Sequence, residues 1–415
     1  MSTAQPTLAR RLGLGDAVMI GLGSMVGAGV FSAFAPAAAA AGHWLLAALA
    51  IAALVAWCNV TSSAQLAARY PTSGGTYFYG REELGPWPGF VAGWCFVVGK
   101  TASCAVMALT FAHYAAPEGW PRPMAVAAVW LLAVVNMFGI TRTARLARIL
   151  AVVVIAVLAL VVVLGLGSQA AHPPAPTLAT SPGPMGVLQG AGLLFFAFAG
   201  YARIATMGEE VVEPRRTIPR AIITALGIAL LVYLAVGATL LHLLGPARLA
   251  ASPAPLAEAV RLAGHACALP VVRFGAAAAA LGSLLSLVAG IGRTSLAMAR
   301  EGDLPRALAV IDPRHQVPRR AEAVLATVVT LVVLTTDLRG AIGFSSFGVL
   351  LYYLVANLSA WHQDRDRLYP RLWQGIGGVL CLVLVCTLPL SSVLWGTGVV
   401  LVGVLGRLAL RRGGA

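Results

Sequence analysis

Apolar runs too long for a soluble core recur along the whole chain, and they dictate the solvent in which it folds. Hydropathy breaks place them roughly at 13–41, 44–67, 87–114, 121–140, 147–168, 186–209, 219–244, 268–298, 321–337, 341–361, 372–389 and 391–410, and about 20 apolar residues suffice for one helical crossing. Charged residues make up 11% of the 415 residues, whereas a soluble domain carries about 25%. The breaks are short, the longest around 169–185, 246–266 and 300–320, so no soluble domain fits between the runs. The expectation is one all-α integral membrane domain over residues 1–415 with twelve transmembrane helices.

The net charge of +14 would suggest nucleic acid in a soluble chain, but the basic residues lie in the breaks. With the N-terminus inside, 21 of the 29 Lys and Arg fall in inside segments, five in outside loops and three within spans. Cytoplasmic loops carry such an excess, so both termini are expected in the cytoplasm and nucleic acid is set aside. Arg10 and Arg11 precede a run far longer than the ~7–15 residues of a signal-peptide core, and that run is taken as the first helix. The six cysteines lie in apolar runs without a CxxC pair and are expected as buried small hydrophobes. The seven histidines are scattered, so neither a metal nor a cofactor is expected. No HExxH, GxSxG or paired intramembrane carboxylates mark an enzyme, and no filter loop or charged ring marks a channel.

Two spans read as broken. The first holds Gly21, Gly23, Gly27 and Gly29 within IGLGSMVGAGVF, then Pro36. The sixth holds FFAFAGYA, with Gly200 mid-span. Each glycine costs a helix about 1 kcal/mol relative to alanine, and irregular backbone at membrane depth survives only where it lines a cavity or is buried in protein. Two such breaks five spans apart point to inverted repeats with a solute site between discontinuous helices. Close helix packing through small residues is the competing explanation.

The chain resembles the amino acid–polyamine–organocation superfamily over nearly its whole length, most of all the cationic amino acid transporter branch. The resemblance rests on GLGSMVGAGVF at 21–31, PTSGGTYFYGREELG at 71–85, FFAFAGYARIATMGEEVVEPRRTIPRAI at 195–222 and LLSLVAGIGRTSLAMAREGDLPRAL at 284–308. It implies five plus five inverted helices, as in the sodium-coupled leucine transporter, with two more at the C-terminus. The first repeat would span roughly 13–168, the second 186–361 and the added pair 372–410. It also implies a small-solute site at the breaks of helices one and six.

Unwinding helix one frees backbone N–H groups near Gly27, Ala28 and Gly29, a receptor for a carboxylate at the positive end of the following half-helix. Ser24 and Met25 adjoin it. The break at Ala197, Phe198, Ala199 and Gly200 frees carbonyls for an ammonium, so the pair suits an amino acid zwitterion. Phe196, Phe198 and Tyr201 either wall the cavity or serve helix packing. Lys100, the only lysine, lies deep in span three, where a charge costs at least about 2.5–3.5 kcal/mol. It either attracts an anionic substrate group or carries a proton, the alternative being a lysine bonded to helix carbonyls. Arg203 and Glu210 are seven residues apart and would share a helix face as an inner-gate or plain structural pair. Glu209 is a further gating candidate.

The chain departs from the family in two places. Ala202 stands where relatives often carry a carboxylate, and Val154 stands where some proton-driven relatives carry a lysine. With cations but no acid near the breaks, neutral amino acids are favoured. The expected activity is alternating-access transport of amino acids across the cell membrane, driven by protons or by exchange. A cationic amino acid or polyamine antiporter is the alternative. The expected partners are the amino acid, the lipid bilayer and protons.

Overall fold

The computed structural model describes residues 12–72, 74–138, 144–168, 183–208, 210–312 and 317–412. Arg10, Arg11, Arg142, Glu209, Arg314 and most of the 169–185 break lie outside them.

The first apolar run forms three helical pieces: α1 (Leu14–Met25), α2 (Ala28–Ser32) and α3 (Phe34–Ala41). Gly27, at φ −79° and ψ −141°, leaves the helical region and ends α1. The second interruption has another cause. Pro36 has no N–H to give the Ser32 carbonyl, yet Ala33 keeps helical dihedrals and the Ala33 and Ala37 N–H groups bond Gly29 and Ala33 at 2.9 and 3.2 Å. Thus α2 and α3 run on as one rod. Gly42 turns the chain at φ 54° toward α4 (Leu45–Arg69). A short helix α5 (Gly75–Leu84) then precedes α6 (Pro86–Ala115), whose proline sits in the first turn, where a missing N–H costs nothing. Helices α7 (Pro121–Met137) and α8 (Ala144–Leu166) follow. The sixth run forms α9 (Pro184–Phe198), one 3₁₀ turn at Ala199–Tyr201 and a single α turn, α10 (Ala202–Ala205).

The remainder is α11 (Pro214–Ala251), kinked at Gly245 (φ 65°), then α12 (Pro255–Leu262), α13 (Leu269–Arg300), α14 (Arg319–Thr335), α15 (Leu338–His362), α16 (Arg371–Thr387) and α17 (Leu390–Arg412). Among the described residues, nine helices are long and apolar enough to cross a membrane. The only strand-like pairing among them is a parallel bridge in which Leu12 exchanges backbone hydrogen bonds with Glu210 and Val212, each 3.0 Å. It ties the entry of α1 to the loop after α10.

Helices α6 and α15 form the interior, with 78% of each apolar window buried, against 17% for α17. Close approach explains the first pair: a Cβ on Gly99 would lie 3.2 Å from the Gly348 Cα. On α17, Trp395, Val402 and Leu405 are exposed. Apolar side chains on a helix with so little protein cover identify a lipid-facing surface.

One expectation needs correction, and one basic residue lies where hydropathy would not put it. Cys58, Cys95, Cys104 and Cys381 are buried, but Cys267 and Cys386 are exposed, because both lie at helix ends or on outer faces that hydropathy does not separate from the core. Arg407, counted among the basic residues of the inside segments, is fully buried and not a free surface charge. Its guanidinium lies between Trp87 and Phe90, 4.4 and 4.6 Å from their ring centres, and bonds the buried Asp303 carboxylate at 2.8 Å. Asp303 also accepts from Tyr77 (2.9 Å) and Arg81 (3.1 Å). Burial, then the Asp303 carboxylate, push the Tyr77 hydroxyl up from its ordinary pKa. A buried charge persists only when paired and hydrogen-bonded. This cluster fastens the end of α17 to α5, the start of α6 and the turn after α13.

Candidate functional site

Where the two broken runs cross, their backbones touch. A Cβ on Gly29 would lie 2.7 Å from the Ala197 Cα, and one on Gly200 would overlap the Ser24 carbonyl. Gly27 instead leaves room for the Ser283 side chain of α13. The missing side chains therefore let three segments meet at one level.

Side chains from two other helices bridge the crossing. The Tyr233 hydroxyl of α11 lies 2.6 Å from the Met25 carbonyl and 2.9 Å from that of Ala197, sharing one proton between the two broken runs. Its ring is held edge-on by Phe198 at 4.9 Å. The Ala199 carbonyl accepts from Lys100 Nζ of α6 (3.2 Å) and from the Tyr353 hydroxyl of α15 (3.4 Å). Tyr353 stacks on Tyr201 at 5.0 Å, and both are buried.

The N–H groups of the first turn of α2 have no acceptor within the helix. No side chain caps them. Among the described residues, the Ala28, Gly29 and Val30 N–H groups have no partner elsewhere. They are buried donors at the positive end of the α2–α3 rod.

The structure thus gathers Ser24, Met25, Gly27, Ala28, Gly29, Lys100, Ala197, Phe198, Ala199, Gly200 and Tyr201 at or beside the crossing, and shifts both breaks. Helix one opens at Val26–Gly27, not through Gly29, because two non-helical residues suffice and Ala28 and Gly29 already start the next turn. Ala197 and Phe198 remain helical, and the second irregularity is the 3₁₀ turn at Ala199–Tyr201. Phe196 is buried in α9. The carbonyls expected to be free are bonded by Lys100, Tyr233 and Tyr353. Ser24 is half-buried and its hydroxyl donates to Ile20 at 3.0 Å.

Arg203 and Glu210 do not share a helix face. The helix ends at Ala205, so the two-turn spacing does not apply, and among the described residues no ion pair joins them. Glu209 lies outside the described residues. Tyr233, Tyr353 and Ser283 were missed from the sequence. Polar atoms within apolar runs (LLVYLAV, LLYYLVANL and LGSLLSL) were the available signal.

Residues 12–405 match the model of a family described as amino acid permease. A Mycobacterium tuberculosis protein named as an uncharacterized transporter is 57% identical over 401 residues, covering 96% of this chain and 90% of that protein. A chloroplastic cationic amino acid transporter of Arabidopsis thaliana is 26% identical over 92% of this chain and 70% of its own length. A branched-chain amino acid permease of Bacillus subtilis is 24% identical over 76% of this chain and 73% of its own. The fold and the match together define a multi-pass membrane transporter. The chain belongs to the amino acid permease family, within the superfamily its motifs resemble.

Proposed function

We propose that this permease carries amino acids across the cell membrane by alternating access, binding the zwitterion where the two broken runs cross. The observation that carries the reading is the pairing of buried unpartnered N–H donors at the start of α2 with the Ala197 carbonyl near the end of α9 and the Ala199 carbonyl of the 3₁₀ turn, both reached by side-chain donors from other helices. The donors suit a carboxylate, and the carbonyls suit an ammonium. Met25, Gly27, Ala28, Gly29, Ala197, Ala199 and Gly200 form the contact surface, with Ser24 at its half-buried edge. Phe196, Phe198 and Tyr201 wall it, and Lys100 reaches it from α6. Because Gly29 and Gly200 pack directly on the opposite run, a solute enters only when the two runs part.

The reading carries a fold of twelve spans with two inverted five-helix repeats, roughly 13–168 and 186–361, and an added pair at 372–410. Support comes from the five-span offset between the broken runs. Both termini are placed in the cytoplasm by the arginine asymmetry. With no carboxylate at the crossing, neutral amino acids are the preferred cargo, as for the branched-chain relative. The cationic relative keeps basic amino acids as the second reading. Arg203 and Glu210 remain candidates for gating through separate segments, and Glu209 with them.

Uptake of a radiolabelled amino acid panel into proteoliposomes, with and without a pH gradient, tests the proposal. Saturable uptake of neutral amino acids is expected. Flux confined to arginine or lysine would select the second reading, and no flux of any amino acid would end both.

A further inference from the structure

Lys100 uses an acceptor that the proposed chemistry also requires. It lies on α6 and is only 7% exposed. Its ammonium donates to the Ala199 carbonyl at 3.2 Å, beside the Tyr353 hydroxyl at 3.4 Å. A carbonyl oxygen has two lone pairs, so these two donors fill it, and a third must displace one of them. Among the described residues, Lys100 has no ion-pair partner. The titratable groups around it are Cys104 one turn along α6, Tyr352 and Tyr353 from α15 and Tyr201 from the 3₁₀ turn. Helix α2 carries none, and the cations of the flanking segments are Arg203 of α10 and the exposed Arg293 of α13. No carboxylate is among the groups named around it.

Resting on the amino acid reading above, we infer that the Lys100 ammonium is a built-in stand-in for the substrate's amino group, which holds the Ala199 carbonyl until an amino acid takes it over and the Lys100 proton is released. Tyr353 is neutral and tolerates a second donor. Two ammonium groups a few ångströms apart in a poorly screened interior repel, and lysine without a partner gives up its proton readily when buried. The step balances: the Lys100 N–H bond breaks, the proton passes to water and the pair of electrons stays on Nζ. The substrate's ammonium then donates to Ala199. One proton leaves for each zwitterion bound, which makes Lys100 a device for coupling amino acid binding to proton release.

Calorimetric titration of L-leucine and L-arginine into the full-length protein in nanodiscs, in buffers of different ionisation enthalpy, tests this. The wild type should release close to one proton per ligand near pH 7, and its affinity should rise up to about tenfold per pH unit from about pH 6 to 8. Lys100→Met should bind without proton release, independently of pH and at least about tenfold tighter at pH 7. Lys100→Arg, a permanent cation, should bind at least about tenfold weaker and also release none. Should the methionine variant misfold, the arginine variant and the wild-type pH slope decide. Proton-neutral binding by the wild type, or weaker binding by Lys100→Met with the pH slope intact, overturns the inference and leaves the amino acid reading standing. Binding of neither ligand to any form overturns both.

Discussion

Tyr233→Phe removes one hydroxyl and nothing else. The ring is 1% exposed and packed edge-on against Phe198 at 4.9 Å, contacts that phenylalanine retains. Two carbonyls, Met25 and Ala197, lose their shared donor. A net hydrogen bond is worth about 0.5–1.5 kcal/mol, and a buried acceptor left unpaired costs about 1–3 kcal/mol. Because the proton is shared, the two contacts count as one bond, and the closed crossing should lose about 1–3 kcal/mol. That corresponds to roughly a 5–150-fold rise in the population of the parted state. Hydrogen–deuterium exchange read by mass spectrometry follows such openings locally. Peptides covering 20–32 and 192–205 should exchange faster by that factor, while peptides within α16 remain as in the wild type. Unchanged exchange at both breaks would refute the view that Tyr233 clasps the two runs together.

Asp303→Asn should leave Arg407 buried beside a neutral partner and cost about 3–5 kcal/mol, read as a shorter thermal half-life in detergent. Asn357→Leu removes the amide that bonds Asn59 and Ser62, each at 2.6 Å, between α4 and α15. It should destabilise the protein by about 1–3 kcal/mol, seen in the same assay. The proposed topology, with both termini inside, predicts that Cys267, in the 3₁₀ turn before α13, reacts with a membrane-impermeant maleimide on intact cells and that Cys58, Cys95, Cys104 and Cys381 do not.

The helices were legible because a bilayer enforces one solution: apolar runs of crossing length must be helical. The breaks were legible because clustered glycines are costly in any helix not opened or closely packed at that point. Their register was not. Gly27 and Gly29 both permit a break, and only the approach of Ala197 and Ser283 decides that Gly27 leaves the helix while Gly29 packs within it. The Arg203–Glu210 pairing failed for a related reason, since helical spacing was extended through Met207 and Gly208, where the helix has ended. Tyr233 and the Asp303–Arg407 pair join residues more than a hundred positions apart, or different helices of equal hydropathy. Nothing in local pattern identifies such partners. Lys100 was singled out by depth alone, but its acceptor became visible only in three dimensions.

Transport as proposed requires that an amino acid bind where the two broken runs cross. The most direct test compares amino acid uptake by Gly200→Ala with that by Gly227→Ala. The added methyl overlaps the Ser24 carbonyl in the first variant and meets nothing within 4 Å in the second. Saturable uptake in the wild type, kept by Gly227→Ala and abolished by Gly200→Ala in correctly folded protein, is the predicted result. Wild-type uptake and affinity in Gly200→Ala would contradict it.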